Sequence, residues 1–585
     1  MLLKNVTDPF GFLIPIRELF LMLTGSQNIV ELTTPGQGFK CENGKVAAAV
    51  KIQSIWRMHA DKKLHNWMVK ARAMAKRCAE TFLRNQALGK LRKSRAARMA
   101  SLRKIVQTRT ILFGSQWEGF LKNTRVIVHL ASMNFQKDIR DSYTDQQLWA
   151  TQQIGRLVDL LDPCVKIVFV TIRVGKYLTE YLMALISSAF DDETIQNRLK
   201  IVWVDRPSHF HPSVPLIDIL LCNPAIQIDI LNYIGNSRAY LVPSVTSDKF
   251  VELAYELDIP IMGSCEAVAQ LGHNRIKQRE FVESAGGTNP PGKIIRAQSG
   301  LHDDSIVYTT LHTLVQLYPE VCKWCFRISS EFVGRAVVCI STTNIQHLTV
   351  QELPAMVRGT VEFLIDTTWR EFICKMLSSG GVIEAYQVQG QETGQSPISH
   401  LLIQPDGQIQ VLGSSALICI QPHLVWGYMF PQKCCNNDTL MSEDVKIGTH
   451  FYQSGYIGYL TCEFMHVGLD VLWCTGIKPY VTESLSTFFM ICMILHYPPQ
   501  PYDESIYADM NHGQANTFKF FAKSKFLDSK DAGDRARAKF PLIPLPEDRV
   551  AIFSRDIHHQ ALEQLNSNVM IRLLKHHGVS YNSTV

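Results

Sequence analysis

The sequence predicts an α/β domain followed by an α+β domain, both preceded by one long basic helix. Three observations support this: a helix-forming stretch without breakers, a series of continuous apolar strands, and a later region of mixed strands and helices. The first is residues 45–109, which contain no proline and a single glycine, Gly89. Their 18 Lys and Arg against two acids give a net charge of +16, whereas the whole chain carries +6. We expect one helix, about 90 Å long if unbroken.

The next part of the chain alternates apolar strands with helical stretches. Runs rich in β-branched residues occur at 125–130, 166–174 and 199–205, and residues 145–161 have a helical pattern. Strands that are apolar throughout and are joined by helices are typical of a parallel sheet. This region therefore predicts the α/β domain.

Strand-like segments are frequent in residues 266–495, where PDG at Pro405–Gly407 is typical of a turn between antiparallel strands. This mixture predicts the α+β domain. The changes in composition along the chain predict five regions in all. They are a leader at 1–44, the basic helix at 45–109, the α/β domain at 110–240, a second domain at 241–500 and a mixed region at 501–585.

Residues 51–62, KIQSIWRMHADK, lie within the predicted basic helix. Four of them occupy the fixed positions of the pattern IQxxxRGxxxR: Ile52, Gln53, Arg57 and Lys62. Met58 departs from the pattern, which prefers glycine. The stretch resembles an IQ motif, and Ile55 and Trp56 extend its apolar face. We expect the four pattern residues, together with Ile55 and Trp56, to bind calmodulin or a calmodulin-like light chain. The acidic, Met-rich groove of such a protein suits an apolar stripe bordered by positive charge.

The charge of the helix leaves a second kind of partner open. Lys90–Lys104 could contact the phosphates of RNA or an anionic membrane surface. The stretch lacks interleaved aromatic residues, which argues against stacking on RNA bases.

The 15 cysteines follow no regular spacing, and residues 9–24 carry charges that a secretory signal would not. We therefore expect a reducing intracellular compartment, the cytoplasm, with the nucleus left open. The most apolar run, 485–497, is too short to span a bilayer, so no transmembrane segment is expected. Cys322 and Cys325 form a lone CxxC without a second pair, so we predict buried thiols and no metal site.

Several short segments between residues 125 and 495 resemble the ATP-grasp superfamily in order and spacing. In chain order they are LDIPIMGS at 257–264, AGGTNPPG at 285–292, FRISSEFVGR at 326–335, VIEAY at 382–386 and GYIGYLTCEF at 455–464. The resemblance implies an ATP-grasp-like domain after a preceding α/β domain. It also implies a set of nucleotide-binding residues: Arg327, Gly334, Arg335, Glu384, Glu463 and Lys478.

This chain departs from the pattern of the superfamily at three places. Asn274 and Arg275, at the start of a predicted helix over 273–285, stand where the superfamily has Asp-Lys. Arg327 stands where the superfamily has a phosphate-binding lysine, and GIKPY at 476–480 stands where a closing motif, roughly DxNxR, supplies magnesium ligands. Lys478 is thus a cation at a position that should hold a metal ion. We therefore expect no catalytic residues. An arginine can still hold phosphate, so binding of ATP stays open.

An IQ motif before an ATP-grasp-like region resembles the IQ domain-containing protein H family, intracellular proteins associated with male germ cells. The resemblance implies a calmodulin-binding regulatory or scaffold protein with an inactive ATP-grasp-like domain. Two other functions remain open: an ATP-dependent carboxylate ligase or nucleotide-binding sensor, and a protein that binds RNA or an anionic surface through the basic helix.

Overall fold

The structure, a computed structural model, contains two compact units, residues 1–98 and 99–585. The described residues are 53–54, 57–59, 62, 96–132, 134, 140, 152–207, 210–211, 214–263, 268, 270–298, 303–329, 337–342, 347–361, 368–388, 396–421, 424–430, 432, 434–468, 471–496, 499, 542–545 and 549–553. In the first unit, residues 53–54, 57–59 and 62 are helical.

A four-stranded parallel sheet forms the first layer of the second unit. Its strands are β1 (Arg125–Leu130), β2 (Val165–Ile172), β3 (Leu199–Val204) and β4 (Arg238–Val242), in the spatial order β3-β2-β1-β4. The six residues of β1 are all buried, as expected of a central strand with helices on both faces. The surrounding helices are α1 (Trp117–Lys122), α2 (Lys176–Ala189), α3 (Asp192–Arg198), α4 (Leu216–Leu221), α5 (Pro224–Ile234) and α6 (Asp248–Glu256). The predicted parallel α/β fold is confirmed.

Residues 99–115 form a helix that packs beside α6. Its apolar face is buried, including Leu102, Val106 and Phe113. Two of its basic side chains form ion pairs: Arg103 with Asp248 at 2.6 Å, and Arg109 with Asp258. The C-terminal end of the basic segment is therefore anchored on the α/β layer. Lys90–Lys104 is the stretch that could contact phosphate. Within it, the side chain of Arg103 already pairs with Asp248.

Two further sheets contain the remaining strands. A four-stranded antiparallel sheet has the order β5-β8-β6-β7, and a seven-stranded sheet has the order β13-β12-β9-β10-β11-β15-β14. The strands are β5 (Gly292–Ile295), β6 (Val321–Ile328), β7 (Val337–Ser341), β8 (Gly381–Val388), β9 (Pro397–Ile403), β10 (Ile409–Gln421), β11 (Leu424–Phe430), β12 (Gly458–Val467), β13 (Val471–Lys478), β14 (Leu542–Leu545) and β15 (Arg549–Phe553). The helices are α7 (Arg275–Ser284), α8 (Ser305–Leu317), α9 (Leu353–Thr360), α10 (Trp369–Ser379), α11 (Asn437–Gln453) and α12 (Glu483–Leu495).

The predicted hairpin at Pro405–Gly407 is present between β9 and β10. Gly407 has a positive φ of 95°, a conformation that a β-carbon disfavours, and this explains the glycine in the turn. One local prediction differs from the structure. The helical pattern of 145–161 gives a 3-10 helix over Gln153–Leu161, with 145–151 outside the described residues. Beyond β4, Ile261 forms a single β-bridge with Leu241.

The 3-10 helix packs against α12 and joins the parallel-sheet layer to the seven-stranded sheet. Both elements belong to one apolar core that includes Leu157, Leu485 and Phe488. The approach is close at Gly155, where a β-carbon would lie 1.8 Å from the backbone oxygen of Ser486. Only glycine fits there without a shift of one element.

We expect Gly155→Ala to lower the free energy of unfolding by about 1–3 kcal/mol, because the new methyl group must push α12 away from the 3-10 helix. Urea unfolding followed by circular dichroism measures the change. Ser187→Ala on the exposed surface of α2 is the control and should change stability by no more than about 0.5 kcal/mol. Equal effects of the two substitutions would contradict the close approach.

Candidate functional site

The described residues of the predicted IQ motif are helical. Gln53, Arg57 and Lys62 are also exposed, as a partner-binding face requires. The other predicted contacts, Ile52, Ile55 and Trp56, lie outside the described residues. The role of the motif stays a prediction.

The predicted nucleotide residues lie around the four-stranded antiparallel sheet and the neighbouring edge of the seven-stranded sheet. Arg327 is on β6, Glu384 on β8, Glu463 on β12 and Lys478 on β13. Gly334 and Arg335 lie outside the described residues.

Strand β6 separates an apolar face from a polar one. Trp324, Phe326 and Ile328 point into an apolar core with helices α8 to α10, and each is at most 4% exposed. Because side chains alternate along a strand, Cys325 and Arg327 point to the opposite face. That face looks towards α7 and β13, where the charged residues of the site gather.

Helix α7 contributes two arginines to this face. The side chain of Asn274 caps the helix by accepting a hydrogen bond from the backbone N–H of Lys277. Arg275 and Arg279 are four residues apart, which places both side chains on one face of the helix. The backbone N–H of Arg275 also donates to the carbonyl oxygen of Ser329 at the end of β6, so the helix start is fixed to that strand.

Glu384 is the centre of the site, and its side chain is 3% exposed. Arg275 donates through Nε to both carboxylate oxygens at 3.2 Å and through Nη2 to Oε2 at 2.8 Å. Arg327 donates through Nη1 to Oε1 at 2.8 Å, and Arg279 through Nη1 to Oε2 at 3.4 Å. One buried carboxylate therefore binds three guanidinium groups.

The arginines have further hydrogen bonds to backbone carbonyl oxygens. Arg275 donates to Cys474 and Arg327 to Thr475, at 3.1 and 2.9 Å, so β13 is held to the cluster. Nη1 of Arg275 is buried without a hydrogen-bond partner. Three arginines against one glutamate leave the cluster with a net charge of +2.

The arginines keep Glu384 ionised. Burial alone would raise the pKa of this carboxyl, but the charges of Arg275 and Arg327, the hydrogen bond from Arg275 and the charge of Arg279 outweigh it. The net effect lowers the pKa of Glu384 from 4.5 to about 2. Burial also lowers the pKa of Arg327 and of Arg279, against the attraction of Glu384.

A second ion pair lies beside the cluster, between Lys478 and Glu463. The two residues lie on the neighbouring strands β13 and β12. Gly476, two residues before Lys478 on β13, is directly opposite Glu463 on β12. A β-carbon at position 476 would lie 2.7 Å from Oε2 of Glu463, so this carboxylate occupies the space of a larger residue. Within the described part of the chain, no group of three or more His, Cys, Asp and Glu side chains is placed to hold a metal ion.

Every described residue of the predicted nucleotide set is thus engaged by an oppositely charged side chain of the protein itself. Arg279 was not in the predicted set, and Arg275 was matched only to a family motif. Their spacing of four residues on a predicted helix was the available signal. It indicates a shared helix face but not what that face contacts.

The fold and the site together define an ATP-grasp-like domain after a parallel-sheet α/β domain. A family model described as "IQCH-like, ATP-grasp" matches residues 341–496, a range that includes Glu384, Glu463 and Lys478. The zebrafish (Danio rerio) protein "IQ motif-containing protein H" is 24% identical over 506 residues, which cover 79% of this chain and 47% of the relative. Residues 341–496 are therefore similar to the IQCH-like ATP-grasp family, and most of the chain is similar to the zebrafish protein. The chain spans about half the length of the curated relative that it matches.

Two solved structures are similar at low identity. A complex of biotin carboxylase with β,γ-ATP from Campylobacter jejuni has a TM-score of 0.39 and 11% identity, over 64% of this chain and 71% of that chain. N5-carboxyaminoimidazole synthetase from Staphylococcus aureus, complexed with ADP, has a TM-score of 0.38 and 10% identity, over 75% and 95%. None of the described helices is long and apolar enough to cross a membrane.

Substitution of Glu384 tests the cluster. We expect Glu384→Gln to lower the free energy of unfolding by about 3–5 kcal/mol, because three guanidinium groups then lie near a neutral amide. Glu256→Gln, an exposed acid at the end of α6, is the control and should have an effect below about 0.5 kcal/mol. Urea unfolding at neutral pH measures both.

The pH dependence of stability distinguishes the ionised carboxylate from mere packing. The folded pKa of Glu384 is lower than the unfolded value, so its stabilisation is complete above about pH 5 and is lost as the pH falls towards 2. The shift corresponds to about 3 kcal/mol. The loss of stability from pH 5 to pH 2 should be smaller by this amount in Glu384→Gln. Parallel acid titrations of the two proteins would contradict the assignment.

Proposed function

We propose that the protein is a calmodulin-binding regulatory or scaffold protein, and that its ATP-grasp-like domain serves as a structural module without ligase activity. The observation that carries the second part is the engagement of Arg327 by Glu384. In the ATP-grasp pattern this strand position supplies a cation to phosphate. In this chain an internal carboxylate accepts its hydrogen bond instead, at 2.8 Å.

The residues present do not fit a magnesium nucleotide. Magnesium prefers oxygen ligands, and it neutralises the phosphates during transfer. The carboxylate of Glu463 is paired with Lys478, whose ammonium group cannot ligate a metal ion. At the position where the closing motif has a carboxylate, this chain has Gly476, which has no side chain. We therefore derive no phosphoryl-transfer step for this site.

The first part of the proposal rests on the exposed residues of the IQ motif. Gln53, Arg57 and Lys62 are helical and point to solvent. The similar zebrafish protein carries the motif in its name. A calmodulin-like protein would bind the apolar positions in its groove and pair its acids with Arg57 and Lys62. We further propose a cytoplasmic location, because the cysteines follow no regular spacing and residues 9–24 do not form a secretory signal. A role in male germ cells is proposed from the family resemblance alone.

A peptide of residues 45–80 tests the calmodulin interaction. We expect it to bind calmodulin in isothermal titration calorimetry, and Ile52→Ala with Gln53→Ala to weaken binding by at least about tenfold. Titrations with and without Ca²⁺ establish the dependence on the ion. The substitutions remove the apolar anchor and a hydrogen-bonding side chain while they leave the charge unchanged.

A matched control separates specific recognition from general attraction to a basic helix. Lys70→Ala with Arg72→Ala removes two positive charges outside the motif and should weaken binding less than the uncharged pair of substitutions. Equal binding of the wild-type and Ile52/Gln53-substituted peptides would refute specific recognition. Binding of mixed-sequence RNA that falls steeply with added salt would favour the phosphate-contact alternative.

Nucleotide binding tests the structural role of the ATP-grasp-like domain. We expect the 585-residue chain to give no heat of binding with ATP and Mg²⁺. The cation that would hold phosphate, Arg327, is already paired with Glu384, and the carboxylate of Glu463 is already paired with Lys478. Arg327→Ala should leave this result unchanged. A magnesium-dependent binding signal that Arg327→Ala abolishes would instead support the ligase or nucleotide-sensor alternative.

A further inference from the structure

Cys325 and Cys339 form a disulfide, which corrects the prediction that Cys325 is a buried thiol. The two residues are direct partners in the antiparallel pairing of β6 and β7, and their α-carbons lie 4.2 Å apart. The other cysteine of the CxxC, Cys322, is unbridged, and its Sγ contacts the carbonyl oxygen of Gln387. The CxxC spacing therefore does not define the reactive pair, whereas the register of the strands does.

The disulfide lies in the same cross-strand row as the centre of the ionic cluster. Cys325 is opposite Cys339 on one side and opposite Glu384 on the other. Residues that are directly opposite in a sheet share one face, so the disulfide and Glu384 are neighbours on the polar face of β6. Arg327 follows Cys325 by two residues on the same face.

The two sulfur atoms differ in their access to solvent. Cys325 is fully buried, whereas Cys339 is half-buried. Among the described strands β7 is an edge strand, since only β6 pairs with it there. An edge strand opens more readily than a central one, so opening of β7 exposes the pair to a reagent in solution. Several other described cysteines are unbridged and deeply buried, such as Cys462, Cys474 and Cys492.

We propose that Cys325 and Cys339 form a reversible redox-modification site, a dithiol that hydrogen peroxide oxidises and that a small thiol reduces. Disulfides of proteins in reducing compartments are mostly of this transient kind. The proposal does not depend on the binding of calmodulin or nucleotide.

The reaction balances in two steps. The thiolate of Cys339 attacks one oxygen of hydrogen peroxide, the O–O bond breaks, and the sulfenic acid and water result after one proton is taken up. The sulfur of Cys325 then attacks the sulfur of the sulfenic acid, and the hydroxyl leaves as a second water with the thiol proton. Two thiols are oxidised to one disulfide while one peroxide is reduced to two waters. Reduction proceeds by thiolate attack on the more accessible sulfur, Cys339.

The modification acts on the edge of the sheet beside the cluster. In the oxidised protein a covalent bond adds to the hydrogen bonds between β6 and β7, so β7 separates from β6 less readily. In the dithiol protein the hydrogen bonds and the packing of Val338 and Ile340 in the apolar core hold the edge strand. We expect the amide hydrogens of residues 337–341 to exchange at least about tenfold more slowly in the oxidised protein.

Peptide mapping of the folded 585-residue chain tests the site. The protein is reduced with dithiothreitol, desalted, treated with hydrogen peroxide, blocked with N-ethylmaleimide and digested with trypsin without reduction. Trypsin separates the two cysteines, because Arg327 and Arg335 lie between them. We expect a disulfide-linked pair of the peptides 324–327 and 336–358, which dithiothreitol removes without unfolding the protein.

Two variants provide the controls. Cys339→Ser should abolish the linked peptides and the difference in hydrogen exchange, whereas Cys322→Ser on the same strand should retain both. Absence of the linkage after peroxide treatment, or its persistence in folded protein under dithiothreitol, would overturn the proposal. Equal exchange of residues 337–341 in the two redox states of the wild-type protein would also overturn it, and this measurement does not require the variants to fold.

Discussion

The ATP-grasp-like domain depends on one buried interaction, the binding of three guanidinium groups by the carboxylate of Glu384. An ionised carboxylate that is 3% exposed is stable only with hydrogen-bonded counter-charges. Those charges come from α7 and β6, and the same arginines reach the carbonyl oxygens of β13. A slip of β8 by one residue would move Glu384 to the opposite face of the sheet. The cluster thus specifies the register of β8 and the position of α7 at once.

The composition of the cluster supports the structural role that we propose for this domain. A phosphate site needs cations with available donors, but Arg327 directs Nη1 to both Glu384 and the carbonyl oxygen of Thr475. An incoming phosphate would have to compete with a carboxylate that is already in place and needs no loss of translational freedom to bind. In the adjacent pair, Lys478 neutralises the carboxylate of Glu463, which would otherwise be a ligand for a metal ion. In both pairs a group that could bind a ligand binds another side chain of the protein.

The sequence predicted the features that local pattern determines. Strand β1 lies at Arg125–Leu130, as its β-branched run predicts, and the turn at Gly407 follows from its local residues. The cluster and the disulfide could not be predicted in this way. Arg275 and Glu384 are 109 residues apart, and the pairing of Cys325 with Cys339 depends on the register of two strands. Such contacts arise from the packing of whole elements, for which a single sequence carries no local signal.

Packing also divides the basic segment at 45–109, although its positive charge is spread along the whole sequence of the segment. Its C-terminal end is part of the fold, because Arg103 and Arg109 pair with Asp248 and Asp258 while Val106 is buried beside them. A partner that bound this end would have to break those ion pairs and expose apolar surface. No such cost is attached to Gln53 or to the other exposed, helical positions of the IQ motif. The positive charge therefore serves anchoring at the C-terminal end of the segment, and at the other end we propose that an acidic partner binds Arg57 and Lys62.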